Sequence, residues 1–261
     1  MMKMNYYEKR LKKNILIGSK PPVVILAGGK GSRITEYTKT IPKPLIRIYK
    51  LPIIIRIIDL YVKYNFEEFF IATGYLHKEF VKYFSKNFKF KDGYYLYKSN
   101  VKIKIVFTGN KTMTGGRILR LNKFLNKNKN FCLTYGDGLS DIDLDKLITY
   151  HIKNSALATI TAVRPPARFG YLKIKKDNRV VNFGEKKMTD AGWINGGFFV
   201  FNIKLIKYIK NDLTFLEKEP LEHISKTNKF YAFKHYGFWQ CMDTLRDKIF
   251  LDEYYKKQKV K

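Results

Sequence analysis

The chain has only two cysteines, Cys132 and Cys241, and four histidines. Two isolated cysteines supply neither a disulfide framework nor the paired spacing of a zinc site. His77, His151, His223 and His235 show no ligand-like spacing, and no Ser-His-Asp or Cys-His signature goes with them. Triad-type nucleophilic catalysis therefore has no support. His151 falls on the apolar face of a helical pattern and reads as core or rim. Long apolar runs are missing too. The longest, Leu51 to Val62, is broken by Arg56 and Asp59, too short and too charged to span a bilayer. The N-terminus carries charge but no following apolar stretch with a small-residue cleavage site, so no signal peptide is expected. These absences predict a cytoplasmic protein without a membrane partner.

Acidic residues are scarce as well, 22 against 51 Lys and Arg, which leaves a formal net charge of +29. Such a charge raises nucleic acid and anionic membranes as partners. The lysines, however, are scattered through every predicted element and form no block. Asn, Ile, Phe and Tyr are abundant alongside them. The pattern reads as compositional bias on a solvated surface, with no nucleic-acid partner, although it would still attract phosphorylated substrates. Hydrophobic residues at 45% and aromatics at 16% suit a packed core and exclude a disordered chain. A length of 261 residues allows one substantial core, or a core with a small subdomain.

The organising stretch is Val23-Val24-Ile25-Leu26-Ala27-Gly28-Gly29-Lys30-Gly31-Ser32-Arg33. A short apolar run rich in β-branched residues fits a buried parallel strand. It runs into three glycines, which let backbone amides approach an anion, and then into Arg33, a forked cation suited to phosphate. The spacing is neither the Gly-Lys-Ser/Thr phosphate loop nor Gly-x-Gly-x-x-Gly. Beyond it, Pro42 and Pro44 fix the backbone on either side of Lys43 and can aim its ammonium back at the same anion.

Strand-like and helical patterns then alternate. Helices are expected from Pro52 (Ile54, Ile57, Ile58, Tyr61), over His77 to Phe88, after Thr112 (Ile118, Leu121, Leu125) and around Leu144 to His151. Strands are expected over Glu67 to Thr73, Val101 to Phe107 and Asn130 to Tyr135. This alternation predicts an α/β fold with a doubly wound, mostly parallel sheet. Ligands on such sheets sit beyond the carboxyl ends of the strands, where Ala27-Gly28, Thr108-Gly109 and Gly136-Asp137 fall. After residue 155 shorter strands follow one another, which predicts a mixed, β-rich region, and Asp243 to Tyr255 reads as a closing helix. The expected division is a basic arm over 1–21 and one domain over 22–261, in two halves, 22–155 and 156–261. Asp137 alone would be an ordinary Asp-Gly turn, and Asp243 alone an N-cap.

The Gly-rich stretch and Pro42-Lys43-Pro44 together resemble the sugar-1-phosphate nucleotidylyltransferases, whose members read G-x-G-T/S-R followed by P-K-P and share a Rossmann-like nucleotidyltransferase fold. Thr112-Met113-Thr114-Gly115-Gly116-Arg117, Tyr135-Gly136-Asp137-Gly138, Pro165-Pro166-Ala167-Arg168-Phe169-Gly170, Ile194-Asn195-Gly196-Gly197-Phe198-Phe199 and Gly237 to Asp247 look like the glucose-1-phosphate cytidylyltransferase subgroup. The resemblance spans Pro22 to Tyr255. It implies CTP and glucose 1-phosphate as substrates, Mg²⁺ held by Asp137 and Asp243, and a homo-oligomer. It further implies Arg33 and Lys43 as the catalytic cations. The nucleotide would be bound by Leu26, Ala27, Gly28, Gly29, Lys30, Gly31 and Ser32, with Thr112, Gly116, Arg117 and Gly136. Glu185, Lys186 and Asn195 would hold the sugar phosphate.

Three departures from the family pattern stand out: the extra N-terminal arm, a short stretch near 89–105, and Ile41 where a lysine often precedes P-K-P. Lys187 also replaces the proline of the family's F-x-E-K-P. One alternative keeps the chemistry but uses dTTP, UTP or GTP, or another sugar. A second is a basic nucleic-acid-binding protein, against which the intact Arg33, Lys43, Asp137 and Asp243 speak. A dehydrogenase is disfavoured by the missing Gly-x-Gly-x-x-Gly.

Overall fold

A computed structural model describes residues 20–98, 100–165, 170–175, 178–185 and 192–258. Nearly all of the expected arm, Lys186 and residues 166–169 lie outside these. In chain order the elements begin β1 (Val23–Ala27), α1 (Thr35–Thr38), β2 (Arg47–Ile48), β3 (Leu51–Pro52), α2 (Ile53–Val62), β4 (Glu68–Thr73) and α3 (His77–Asn87). Next come β5 (Lys89–Lys91), β6 (Tyr94–Tyr97), β7 (Val101–Phe107), α4 (Thr114–Leu125), β8 (Asn130–Tyr135), β9 (Gly138–Ser140) and α5 (Leu144–Lys153). The chain continues with β10 (Ala158–Val163), β11 (Gly170–Ile174), β12 (Val180–Glu185), β13 (Ile194–Asn202), α6 (Glu219–Ser225), β14 (Phe230–Lys234), β15 (Trp239–Cys241) and α7 (Leu245–Gln258).

Strand β1 is buried along its whole length because both of its faces are covered. Val23, Ile25 and Ala27 point into one core, filled by Ile54, Ile57, Ile58 and Tyr61 of α2 and by Phe80 and Phe84 of α3. Val24 and Leu26 point into a second core with Ile118, Leu121 and Leu125 of α4. The alternation of a strand thus meets two helical stripes, one on each side. Each fully buried Ile or Leu contributes roughly 1.5–3 kcal/mol. This is the doubly wound arrangement expected from the sequence.

The main sheet has nine strands in the order β14-β10-β13-β8-β1-β4-β7-β6-β5. β8, β1, β4 and β7 are mutually parallel. β13 runs antiparallel between β10 and β8, so three strands of the second half extend the sheet of the first. A β5–β6 hairpin adds an antiparallel edge at the other side. Three two-stranded antiparallel ribbons accompany the sheet among the described residues: β2 with β3, β11 with β12, and β9 with β15. His151 is core, with Nδ1 2.9 Å from the Thr159 hydroxyl.

Candidate active site

The parallel strands β1, β4, β7 and β8 end along one rim, and a cavity of about 750 Å³ opens there. That volume suits a nucleotide-sized ligand. The loop after β1 forms its floor. Gly31 has φ 64°, and a Cβ there would lie 2.8 Å from the Thr38 methyl, so only glycine fits. The Thr38 hydroxyl donates to the Gly31 carbonyl at 3.1 Å and fixes the turn. Gly28 and Gly29 line the cavity with Leu26, Ala27, Gly31 and Ser32. Lys30 is exposed and is not among the residues that line the cavity.

Lys43 opens a short 3₁₀ turn, with Pro42 before it and Pro44 inside it. Its ammonium donates to Asp137 Oδ2 at 2.6 Å and to Asp243 Oδ1 at 2.7 Å. Arg33 donates to the other oxygen of Asp243 at 3.1 Å. Two cations and two carboxylates, distant in sequence, therefore meet at one point. Burial pushes the Lys43 ammonium down, but Asp137 and Asp243 outweigh it and leave its pKa above the ordinary value. Burial raises the Asp243 carboxyl, yet Lys43 and Arg33 overcome that and hold it below the ordinary carboxylate range.

The β9–β15 ribbon brings the two carboxylates together. Cys241 pairs with Gly138, and the Met242 amide donates to the Asp137 carbonyl at 2.9 Å. Asp137 and Asp243 flank this register on facing chains. Thr244, and not Asp243, caps α7. Its amide donates to Asp247 Oδ2 at 2.8 Å and its hydroxyl accepts from the Asp247 amide at 3.2 Å, a reciprocal capping box. The Asp243 amide donates to the same Asp247 oxygen at 3.0 Å, which leaves the Asp243 side chain free to face the cavity.

Arg117 is buried. Its guanidinium donates to the carbonyls of Thr73, Gly109 and Gly28 at 2.9, 3.0 and 3.1 Å. It also donates to the Thr108 hydroxyl at 2.7 Å. One side chain thus ties together the ends of β1, β4 and β7. A Cβ on Gly28 would fall within 2.1 Å of that guanidinium. Thr112 lines the cavity. Gly116 instead packs against Asp212, whose carbonyl oxygen a Cβ would meet at 2.4 Å. Gly136 sits under Pro44, where a Cβ would be 2.7 Å from the ring.

On the opposite wall, Asn195 Oδ1 accepts from the Gly197 amide at 2.8 Å, and its Nδ2 donates to the Tyr135 hydroxyl at 3.4 Å. Glu185 ends β12. Tyr135, Met113, Phe215 and Trp239 also line the cavity. None of them is among the residues singled out from the sequence. Tyr135 and Trp239 fall inside the quoted motifs, whereas nothing around Phe215 marks it. Among the described residues no group of three or more His, Cys, Asp or Glu could hold a metal alone. A cation held by Asp137 and Asp243, which here both accept from Lys43, would take its remaining oxygens from substrate and water, the habit of Mg²⁺. Among the described residues no helix is long and apolar enough to cross a membrane.

Residues 22–244 match the family model of the nucleotidyl transferases. The glucose-1-phosphate cytidylyltransferase of Salmonella typhimurium is 38% identical over 255 residues, covering 90% of this chain and 96% of its own. A probable glucose-1-phosphate cytidylyltransferase of Bacillus subtilis is 38% identical over 237 residues, with coverage of 86% and 92%. The crystal structure of HddC from Yersinia pseudotuberculosis superposes with a TM-score of 0.71 at 24% identity, over 90% of this chain and 100% of that one.

Proposed function

The chain belongs to the nucleotidyl transferase family, and from that premise we propose that it transfers the cytidylyl group of CTP to α-D-glucose 1-phosphate. The products are CDP-glucose and pyrophosphate. The observation that carries this reading is the meeting of Lys43, Arg33, Asp137 and Asp243 at the rim of the Gly-rich floor, in a chain similar to cytidylyltransferases over nearly its whole length.

The sugar phosphate is already ionised at neutral pH, so the reaction asks for no general base, and none of the four histidines lines the cavity. A phosphate oxygen of glucose 1-phosphate attacks the α-phosphorus of CTP in line. The new P–O bond forms as the bond to pyrophosphate breaks. The protein's task is to position the two anions and to stabilise charge. Backbone amides of Gly28 to Gly31 donate to the triphosphate. Lys43 and Arg33 neutralise charge that builds on the α-phosphoryl group and the departing pyrophosphate. Backbone groups near Leu26 to Gly28 read the pyrimidine, with Thr112 and Gly136 beside them and Arg117 holding Gly28 from below. Glu185, Lys186 and Asn195 hold the sugar phosphate. A divalent cation such as Mg²⁺ fits Asp137 and Asp243, and when bound it acts as a Lewis acid that neutralises phosphate charge. Residues 22–155 form the nucleotide half of the domain and 156–261 the sugar-phosphate half. The same reading makes the enzyme a cytoplasmic homo-oligomer.

Pyrophosphate release from purified protein tests this. Mg²⁺ and glucose 1-phosphate are supplied with CTP, UTP, dTTP or GTP in parallel. Release confined to CTP is expected. Release confined to another nucleotide would overturn the choice of base, and no release with any of them would overturn the reaction.

A further inference from the structure

Glu217 is exposed, in the loop between Ile209 and α6, and its partners Thr114 and Tyr135 both line the cavity. Its two carboxylate oxygens have different partners. Oε2 accepts from the Thr114 hydroxyl at 2.5 Å, and Oε1 accepts from the Tyr135 hydroxyl at 2.6 Å. Thr114 opens α4, the helix that carries Arg117 on the nucleotide side. Tyr135 ends β8 and touches Asn195 on the sugar side. The loop is itself fastened to the start of α4. The Met113 and Gly115 amides donate to the Asp212 and Thr214 carbonyls at 2.8 and 3.0 Å, and the Leu216 amide donates to the Thr114 hydroxyl at 2.9 Å. One carboxylate thus joins the two walls of the cavity.

The chemistry of the Tyr135 hydroxyl follows. A phenol has one proton to donate. Glu217 takes that proton, and a hydrogen bond to a carboxylate is the stronger kind. The remaining lone pairs of the Tyr135 oxygen then accept, one from Asn195 Nδ2 and the other from the cavity. The ring is held as well. Gly197 has φ 76°, and a Cβ there would lie 2.8 Å from the Tyr135 ring.

We propose that Glu217 is a positioning residue for the sugar-phosphate substrate: it fixes Tyr135 so that its hydroxyl meets a sugar O–H as an acceptor beside Asn195. The proposal rests on the reaction above for the identity of the sugar. Without Glu217 the phenol proton would turn to whatever acceptor is nearest, Asn195 would lose its fixed partner, and a sugar hydroxyl would meet a donor instead of an acceptor.

Two measurements test this. In steady-state kinetics, Glu217→Ala should raise KM for glucose 1-phosphate on the order of tenfold, with KM for CTP and kcat close to the parent. Glu217→Gln keeps a carbonyl acceptor and should recover part of the loss. Glu217→Ala combined with Tyr135→Phe should be no worse than Tyr135→Phe alone. Independently of turnover, the ¹³Cζ resonance of Tyr135, assigned by its loss in Tyr135→Phe, should move in Glu217→Ala and move less in Glu217→Gln. An unmoved resonance, or kinetic constants for both substrates that stay unchanged or rise together, would overturn the proposal. If the parent itself releases no pyrophosphate with CTP, the reaction reading falls, and the Tyr135 resonance still decides the role of Glu217.

Discussion

On the wall of the cavity proposed for the phosphates, Lys43 meets Asp137 and Asp243 at 2.6 and 2.7 Å, and Arg33 meets Asp243 at 3.1 Å. On the wall proposed for the sugar, Tyr135, Asn195, Glu217 and Trp239 are joined mainly by hydrogen bonds to one another and to backbone, such as Trp239 Nε1 to the Gly196 carbonyl at 2.7 Å. The first wall works by concentrated charge and draws on short motifs with stiff backbones. The second works by the orientation of hydrogen-bonded groups, anchored by the Glu217 carboxylate, and draws on single residues from separate strands and a loop. Charge acts over distance and tolerates small displacement, whereas a hydrogen bond between neutral groups is lost with a change of angle. Large, concentrated effects should therefore follow from changes on the first wall, and small, distributed ones on the second.

The sharpest way to break this contrast is Lys43→Ala. It removes the cation shared by both carboxylates and should lower kcat about 10²–10³-fold, the scale of one charged transition-state contact; turnover near the parental rate would end the contrast. Next comes Arg117→Ala. It removes the four hydrogen bonds of a buried side chain, although the Thr73 and Gly28 carbonyls keep Thr108 and Tyr75 as donors, and should cost about 3 kcal/mol of stability, read from urea unfolding. A loss of activity without a loss of stability would instead make Arg117 a ligand contact. The smallest effect belongs to the sugar wall. Trp239→Phe keeps the ring and deletes one hydrogen bond to Gly196, worth about 1 kcal/mol. It should raise KM for glucose 1-phosphate only a few-fold in the same assay, and a larger rise would show that this wall is not distributed.

The Gly-rich turn and the proline-flanked Lys43 were legible in the chain; the positive φ that makes Gly31 obligatory was seen only in the structure. Asp137 and Asp243 were named through resemblance, since an isolated aspartate after a strand or before a helix carries no signal of its own. Glu217 and Phe215 were invisible for the same reason. They lie in an irregular loop, and only its path over the start of α4 brings them to the cavity. A mixed, β-rich second half within one domain was legible as well, but not its strand pairing: β13 pairs antiparallel with β8 and carries Asn195 to the same rim as Ala27.

By itself the sequence determined the local features: the buried strand β1, the amphipathic helices on its two faces, the Gly-rich turn and the proline-fixed lysine. Each depends on side-chain periodicity or on backbone freedom within a few residues. The tertiary structure alone decided which carboxylates meet Lys43, that Arg117 spends its donors on strand ends, and that Glu217 faces Tyr135. Those pairings close loops of many residues, and they are set by strand order and register, which no local propensity encodes.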